Sequence, residues 1–335
     1  MKFFCKSSLS VVTALSLVLL TLSSFQLSAS AKSTTHFPVG LSEHNLRVKG
    51  SDRSYLVYVP KKSKKPRALV LVLHGGGGIG GDVATPGVHP ISVFRTVADR
   101  EKFIIVYPEG LPSNDAKRLT GWVDCRGDNT ISSDANDVLF LKTLVARVTK
   151  IYGLSSSKVF MAGGSNGAQM TQAFAFHHPE MVGGVASGAG SLPLNPKEGA
   201  CTKGPNKGVP ILLVHGTADS QMPYNGGCVA DIGGMCNRGR VLSAIETRDR
   251  WLQINGLFGI APTKETIDIS KSDGGPANRY FYSGRFPLEW WQLEGAGHAV
   301  PSRQVLVSSN RLIGIQNQDI EFAEISWAFF SRVIG

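Results

Sequence analysis

A chain of 335 residues with 42% hydrophobic, 18% charged and 8% aromatic residues has the composition of a globular protein and carries no long biased tract of the kind that stays disordered. The formal net charge of +10 raises nucleic acid as a partner. The one dense basic run, Lys61-Lys62-Ser63-Lys64-Lys65, lies between two apolar strand-like stretches with no interleaved aromatics, so it reads as a solvated hairpin tip and no nucleic-acid partner is expected.

In chain order the first feature is a leader. Lys2 and Lys6 precede an apolar run from Val11 to Leu22, and the small residues Ala29-Ser30-Ala31 follow, the pattern of a secretory signal peptide over residues 1–31. Residues 32–335 are then expected to form a single exported domain, extracellular or periplasmic. No later segment approaches the roughly 20 continuous apolar residues that a membrane span needs.

Apolar runs suited to buried strands recur at Tyr55 to Val59, Ala68 to Leu73, Phe103 to Tyr107, Val159 to Ala162, Gly184 to Gly188, Ile211 to Val214 and Trp290 to Leu293. Between them lie helical patterns. From Asp137 to Tyr152 the apolar residues Val138, Leu141, Leu144, Val145, Val148 and Tyr152 share one face, and Gly153 follows as a stop. Similar patterns run from Ile91 to Arg100, Gln169 to Phe176, Arg240 to Ile254 and Asp319 to Val333. Strands alternating with helices imply an α/β fold, a mostly parallel central sheet with helices on both faces. The stretches from Pro112 to Ser133 and from Leu192 to Val209, rich in Gly, Pro, Asn and Asp, are long connections suited to lining a site.

Once Cys5 leaves with the leader, Cys125, Cys201, Cys228 and Cys236 remain, an even set in an oxidising compartment. Four cysteines permit three pairings. The short Gly-rich loop between Cys228 and Cys236 favours that pair, with Cys125 and Cys201 left for each other. A zinc site has little support, because there is no C-x-x-C and no His at ligand spacing from the pair; neither metal nor cofactor is expected.

The chemistry begins at Val159-Phe160-Met161-Ala162-Gly163-Gly164-Ser165-Asn166-Gly167, a strand running through G-x-S-x-G into a helix, which makes Ser165 the candidate nucleophile. A serine hydroxyl needs a histidine base, and the base needs a carboxylate to fix its tautomer. With this elbow the chain order is Ser, acid, His. His177 and His178 sit on the elbow helix, and His215 precedes the best acid, which leaves His298 in Gly295-Ala296-Gly297-His298. Asp219 follows the strand Ile211 to Val214, at the sheet end where sites form; Asp231 and Asp268 are the fallbacks. The tetrahedral intermediate needs N–H donors. His74-Gly75-Gly76-Gly77-Gly78 ends a strand and supplies one donor, at Gly76, and the residue after the nucleophile, Asn166, supplies the other. No G-K-[ST] follows, so a phosphate loop is not indicated.

Together these segments resemble the polyhydroxybutyrate depolymerase and feruloyl esterase family of exported α/β-hydrolases. The matching stretches include Leu71-Val72-Leu73-His74-Gly75, Val106-Tyr107-Pro108-Glu109-Gly110, Asp137-Val138-Leu139-Phe140-Leu141 and His215-Gly216-Thr217-Ala218-Asp219 with Pro223-Tyr224-Asn225-Gly226-Gly227. The resemblance implies the α/β-hydrolase fold and a cofactor-free Ser165–His298–Asp219 acyl-enzyme mechanism on an ester substrate, most closely that of a poly(3-hydroxybutyrate) depolymerase. A feruloyl or acetyl-xylan esterase is the alternative, and a non-catalytic binding protein with the same fold a distant one. The family commonly has Trp two residues after its catalytic His, where this chain has Val300. Trp122 is a candidate substrate-binding aromatic, and Trp290-Trp291 reads more readily as core.

Overall fold

Continuous apolar strands can be buried on both faces only if helices cover both sides of their sheet. A computed structural model of the chain, describing residues 36–61, 65–229, 235–308 and 313–334, has this layout. The strands are β1 (Gly40–Val48), β2 (Ser51–Val59), β3 (Leu69–Leu73), β4 (Ile104–Pro108), β5 (Leu111–Pro112), β6 (Thr120–Gly121), β7 (Val159–Gly164), β8 (Gly184–Gly188), β9 (Ile211–Gly216), β10 (Gly227–Cys228), β11 (Arg240–Val241), β12 (Thr263–Ile267), β13 (Ala277–Tyr282) and β14 (Leu288–Leu293). Ten of them form one sheet in the order β1-β2-β4-β3-β7-β8-β9-β14-β13-β12, and β5–β6 and β10–β11 are separate two-residue ladders.

The six central strands, β4 to β14 in that order, run parallel. Antiparallel pairs extend the sheet at both edges. Alternate side chains of the central strands enter two separate cores. Leu69, Leu71, Met161, Val185 and Leu213 face Phe140 and Leu144 of α3 (Asp137–Tyr152), Phe174 of α4 (Asn166–His177) and Trp251 of α6 (Ala244–Ile254). Val70, Val72, Phe160, Ala186 and Leu212 face the other way. They meet Val83 of α1 (Gly80–Ala84), Phe94 of α2 (Phe94–Glu101), and Phe322 and Phe330 of α7 (Phe322–Val333). The short helix α5 (Ala200–Lys203) lies in the long connection after β8.

All seven expected strands are present. β1, β12 and β13 were not expected, because their burial pattern is mixed or exposed and backbone pairing alone places them at the sheet edges. The pattern from Arg240 to Ile254 divides: Arg240–Val241 is strand, and the helix starts only at Ala244, where Ser243 and Glu246 form a reciprocal capping box. Two disulfides, Cys125–Cys201 and Cys228–Cys236, close the long connections. Among the described residues no helix is long and apolar enough to cross a membrane. The expected leader over residues 1–31, most of the basic tip and the fallback acid Asp231 lie outside the described residues.

Candidate active site

The parallel strands deliver their following loops to one sheet edge, so residues far apart in sequence converge at the carboxyl ends of β3, β7, β9 and β14. Ser165 ends β7 with φ 55° and ψ −124°, a backbone state that costs a non-glycine residue energy and that turns its side chain out of the strand. The turn works because Gly167 has no side chain: a Cβ there would lie 2.4 Å from the carbonyl oxygen of His74 and 2.5 Å from that of Leu73. That approach brings α4 against the end of β3.

His298 Nε2 lies 2.9 Å from Ser165 Oγ. On its other side Nδ1 is 2.9 Å from Asp219 Oδ2 and 3.1 Å from Oδ1. A carboxylate only accepts, so Nδ1 carries the proton and Nε2 is left to accept from the serine hydroxyl. Asp219 Oδ1 also accepts the backbone N–H groups of Gln221 and Met222, each at 2.9 Å. Burial pushes the Asp219 carboxyl up, but the His298 charge and hydrogen bonds from His215 and His298 outweigh it and hold the acid well below the usual carboxylate range. The two loops are laced together: Ala218 N–H donates to Ala296 O at 2.9 Å and Gly295 N–H to Thr217 Oγ1 at 2.8 Å. His298 N–H is anchored on Ile313 O.

Gly76 and Asn166 meet beside the serine, with a Cβ on Gly76 falling 3.7 Å from the Cβ of Asn166. Asn166 opens α4, so its backbone N–H has no partner within the helix and sits at the positive end of the helix dipole. The Gly76 N–H makes no backbone hydrogen bond among the described residues. The glycine loop is held from behind by His74. Gly110 N–H donates to His74 Nε2 at 3.0 Å, which places the ring proton on Nδ1, 2.8 Å from Gly75 O. Burial lowers the His74 pKa and keeps the ring neutral.

These residues border a cleft of about 280 Å³. Leu119, Ile131 and Met222 give it aliphatic surface, and Ser113, Asn129 and Ser132 give it polar groups. Trp122 borders the cleft but is only 2% exposed; its indole N–H donates to His74 O at 2.9 Å, so it supports the glycine loop and presents almost no ring surface. Trp290 and Trp291 are buried in opposite cores. Val300, two residues after His298, is buried against Gly164 and Gly188. Asp268 is a surface residue paired with Lys271.

Three elements of the site were given no role by the sequence. His215 lies beside Asp219, His89 joins the cleft lining, and Asp124 with Arg126 lies behind Asn166. His89 accepts from Ile91 N–H through Nδ1, and burial pushes its pKa down to about 4. His215 stands in the stretch that leads to Asp219 without a role of its own there, whereas His89, Asp124 and Arg126 stand in no motif, and folding brings them to the site.

The sheet order and the converging loops define an α/β-hydrolase. The chain belongs to the phospholipase/carboxylesterase family, whose profile matches residues 56–231. Feruloyl esterase B of Talaromyces funiculosus is 26% identical over 178 residues, 53% of this chain and 45% of that protein. Poly(3-hydroxyalkanoate) depolymerase C of Paucimonas lemoignei is 27% identical over 133 residues, 40% of this chain and 30% of that protein. The chain thus spans about half the length, or less, of the curated relatives it matches. The solved acetyl xylan esterase from Aspergillus awamori superposes with a TM-score of 0.53 at 20% identity, covering 78% of this chain and 95% of that one, a likeness of fold.

Proposed function

We propose that this protein is an exported serine carboxylesterase that hydrolyses short aliphatic oligoesters of the poly(3-hydroxyalkanoate) type. The observation that carries the reading is the continuous hydrogen-bonded line Ser165 Oγ–His298–Asp219, opening on a cleft beside the paired donors Gly76 and Asn166. Ser165 Oγ attacks the ester carbonyl carbon as its proton passes to His298 Nε2, and Asp219 stabilises the imidazolium that forms. The carbonyl oxygen gains negative charge opposite the Gly76 and Asn166 N–H groups. Collapse expels the alcohol, which takes the proton from His298. Water, deprotonated by the same imidazole, then releases the acid and restores Ser165.

An aliphatic hydroxyacyl chain combines methyl-bearing carbons with ester oxygens, and the cleft lining combines aliphatic side chains with hydroxyl and amide groups. Its volume of about 280 Å³ falls just below the usual range of ligand pockets, roughly 300–1,000 Å³, which suits only a few repeat units. The second reading, a feruloyl or acetyl-xylan esterase, is favoured by the relatives that carry those names. Against feruloyl groups stands the burial of Trp122, which leaves no broad aromatic face for a ferulate ring among the described lining residues. Export is supported by two disulfides, which persist in oxidising compartments.

The test is product release by the oxidised protein from 3-hydroxybutyrate oligomers, amorphous polymer, and feruloylated or acetylated xylan, with Ser165→Ala as the blank. Hydroxybutyrate release by the wild type alone is expected. Ferulate or acetate release without hydroxybutyrate would transfer the protein to the plant-wall reading, and unchanged activity in Ser165→Ala would overturn the serine mechanism.

A further inference from the structure

Behind the site, the segment that follows β6 grips the first residue of α4. Trp122 N–H donates to Asn166 Oδ1 at 2.7 Å, and Asn166 Nδ2 donates to Trp122 O at 3.1 Å and to Asp124 Oδ2 at 2.8 Å. Both amide hydrogens and the amide oxygen are therefore engaged, which fixes the side chain and with it the backbone at Asn166. Any residue at this helix position would present the same peptide N–H, so the amide group is needed only for the grip. It adjoins Ser165, whose unfavourable backbone state persists only if its neighbours hold it.

Asp124 is itself buried and over-determined. Its carboxylate accepts Arg126 N–H at 2.9 Å, Arg126 Nε at 3.0 Å and Arg126 Nη2 at 2.8 Å, and the Arg126 guanidinium also donates to Arg238 O. Both residues are about 95% shielded, at 5% and 4% exposure. A buried ion pair gains little stability over apolar packing, so what Asp124 and Arg126 supply here is geometry rather than stability. The Cys125–Cys201 disulfide pins the residue between them.

We propose that Asp124 is a positioning residue for the oxyanion hole: through the Asn166 side chain it sets where the Asn166 backbone N–H points, without touching substrate. The proposal rests on the serine-esterase reading of Ser165 and Asn166. Because one displaced donor forfeits much of a contribution of about 10²–10³ in kcat, loosening this grip acts on the transition state and leaves ground-state binding alone.

The experiment compares Asp124→Asn, Asn166→Ala and the double variant. Active sites are counted with a fluorophosphonate, and kcat and KM per counted site are measured on p-nitrophenyl butyrate, with the Ki of an aliphatic trifluoromethyl ketone as the transition-state probe. Each single variant is expected to lower kcat about 10- to 100-fold with KM within about twofold. The ketone Ki should rise by the same factor, and the double variant should be no slower than the slower single, since Asp124 acts only through the Asn166 side chain that Asn166→Ala already removes. Asn166→Ala, which also removes both Trp122 bonds, tests the grip as a whole; should Asp124→Asn strand Arg126 and fail to fold, Asp124→Asn combined with Arg126→Gln, which leaves no unpaired buried charge, takes its place. A merely structural role lowers melting temperature and the count of active sites but leaves kcat per counted site unchanged, and that result overturns the proposal, as does a double variant whose losses multiply. Failure of the wild type to react with the fluorophosphonate would instead sink the serine-esterase reading itself.

Discussion

The imidazole of His215 lies 3.3 Å from Asp219 Oδ2, so the candidate acid faces two histidines, His298 on the side of Ser165 and His215 on the other. His215 Nε2 is also 2.8 Å from Met222 O, and since a carbonyl only accepts, this nitrogen carries a proton that it shares with the acid. Hydrogen bonds to charged groups contribute roughly 1.5–3 kcal/mol. Replacing His215 with Phe is expected to reduce kcat/KM about tenfold or more while the protein stays folded, as steady-state kinetics and near-UV circular dichroism will show.

The depressed Asp219 pKa has a thermodynamic sign. A carboxyl held below its unfolded value of about 3.9 stabilises the native state at all higher pH, and that contribution is lost as the pH falls through the native value. Melting temperatures measured between pH 5 and pH 2 should therefore fall more steeply for the wild type than for Asp219→Asn. Parallel curves would mean that Asp219 is not held in this way.

Gly167 is expected to refuse even one methyl group. The atoms a Cβ would strike are backbone carbonyl oxygens of His74 and Leu73, which cannot swing aside, so Gly167→Ala must push α4 away from β3. The gain in helix propensity, about 1 kcal/mol, does not offset this overpacking; a net loss of about 2–3 kcal/mol in urea unfolding is expected. A fall in kcat should accompany it, because Asn166 moves with the helix.

The two disulfides should differ in worth. Cys125–Cys201 closes 76 residues and Cys228–Cys236 only 8, so chain-entropy arguments give ~4.5 kcal/mol for the first and ~2.5 kcal/mol for the second. Paired Cys→Ala variants compared by denaturant unfolding should rank in that order. The reverse order would show that strain or residual unfolded structure outweighs loop length.

Arg53 and Asp137 form a buried pair at 2.6 Å, and Asp137 Oδ2 accepts Val123 N–H at 2.7 Å. Arg53→Met strands that carboxylate and should cost about 3–5 kcal/mol. Adding Asp137→Leu to the same protein should recover most of the loss in unfolding free energy, since no buried charge then remains.

What could be read from sequence depended on whether a residue acts through its own pattern or through distant partners. Ser165 stands in a strand–turn–helix with glycines at fixed offsets, and chain order pointed to Asp219 and His298, so all three could be named before their loops were seen to meet. The buried strands β3, β7 and β9 announce themselves by unbroken apolar runs. β1 and β12 pair through backbone groups at the sheet edges, where side-chain polarity is unconstrained, so composition is silent about them. Asp124 and Arg126 look like surface charges beside a cysteine; only the return of their loop onto α4, some forty residues later, gives them a task. His215 stands four residues before the candidate acid in the sequence, but nothing in that spacing says that its ring folds back against the carboxylate.

The parallel register of β14 on β9, with Leu293 opposite Gly216, seats the His298 loop against the Asp219 loop. Between those loops the chain forms the β10–β11 ladder and α6, then adds β12 and β13 to the edge of the sheet before β14 returns beside β9 and His298 is reached. The matched family profile ends at residue 231, inside that interval. A segment of different length or shape in this interval leaves the register of β14 on β9, and the meeting of His298 with Ser165, in place, which makes it the stretch where the cleft can be reshaped without rebuilding the site.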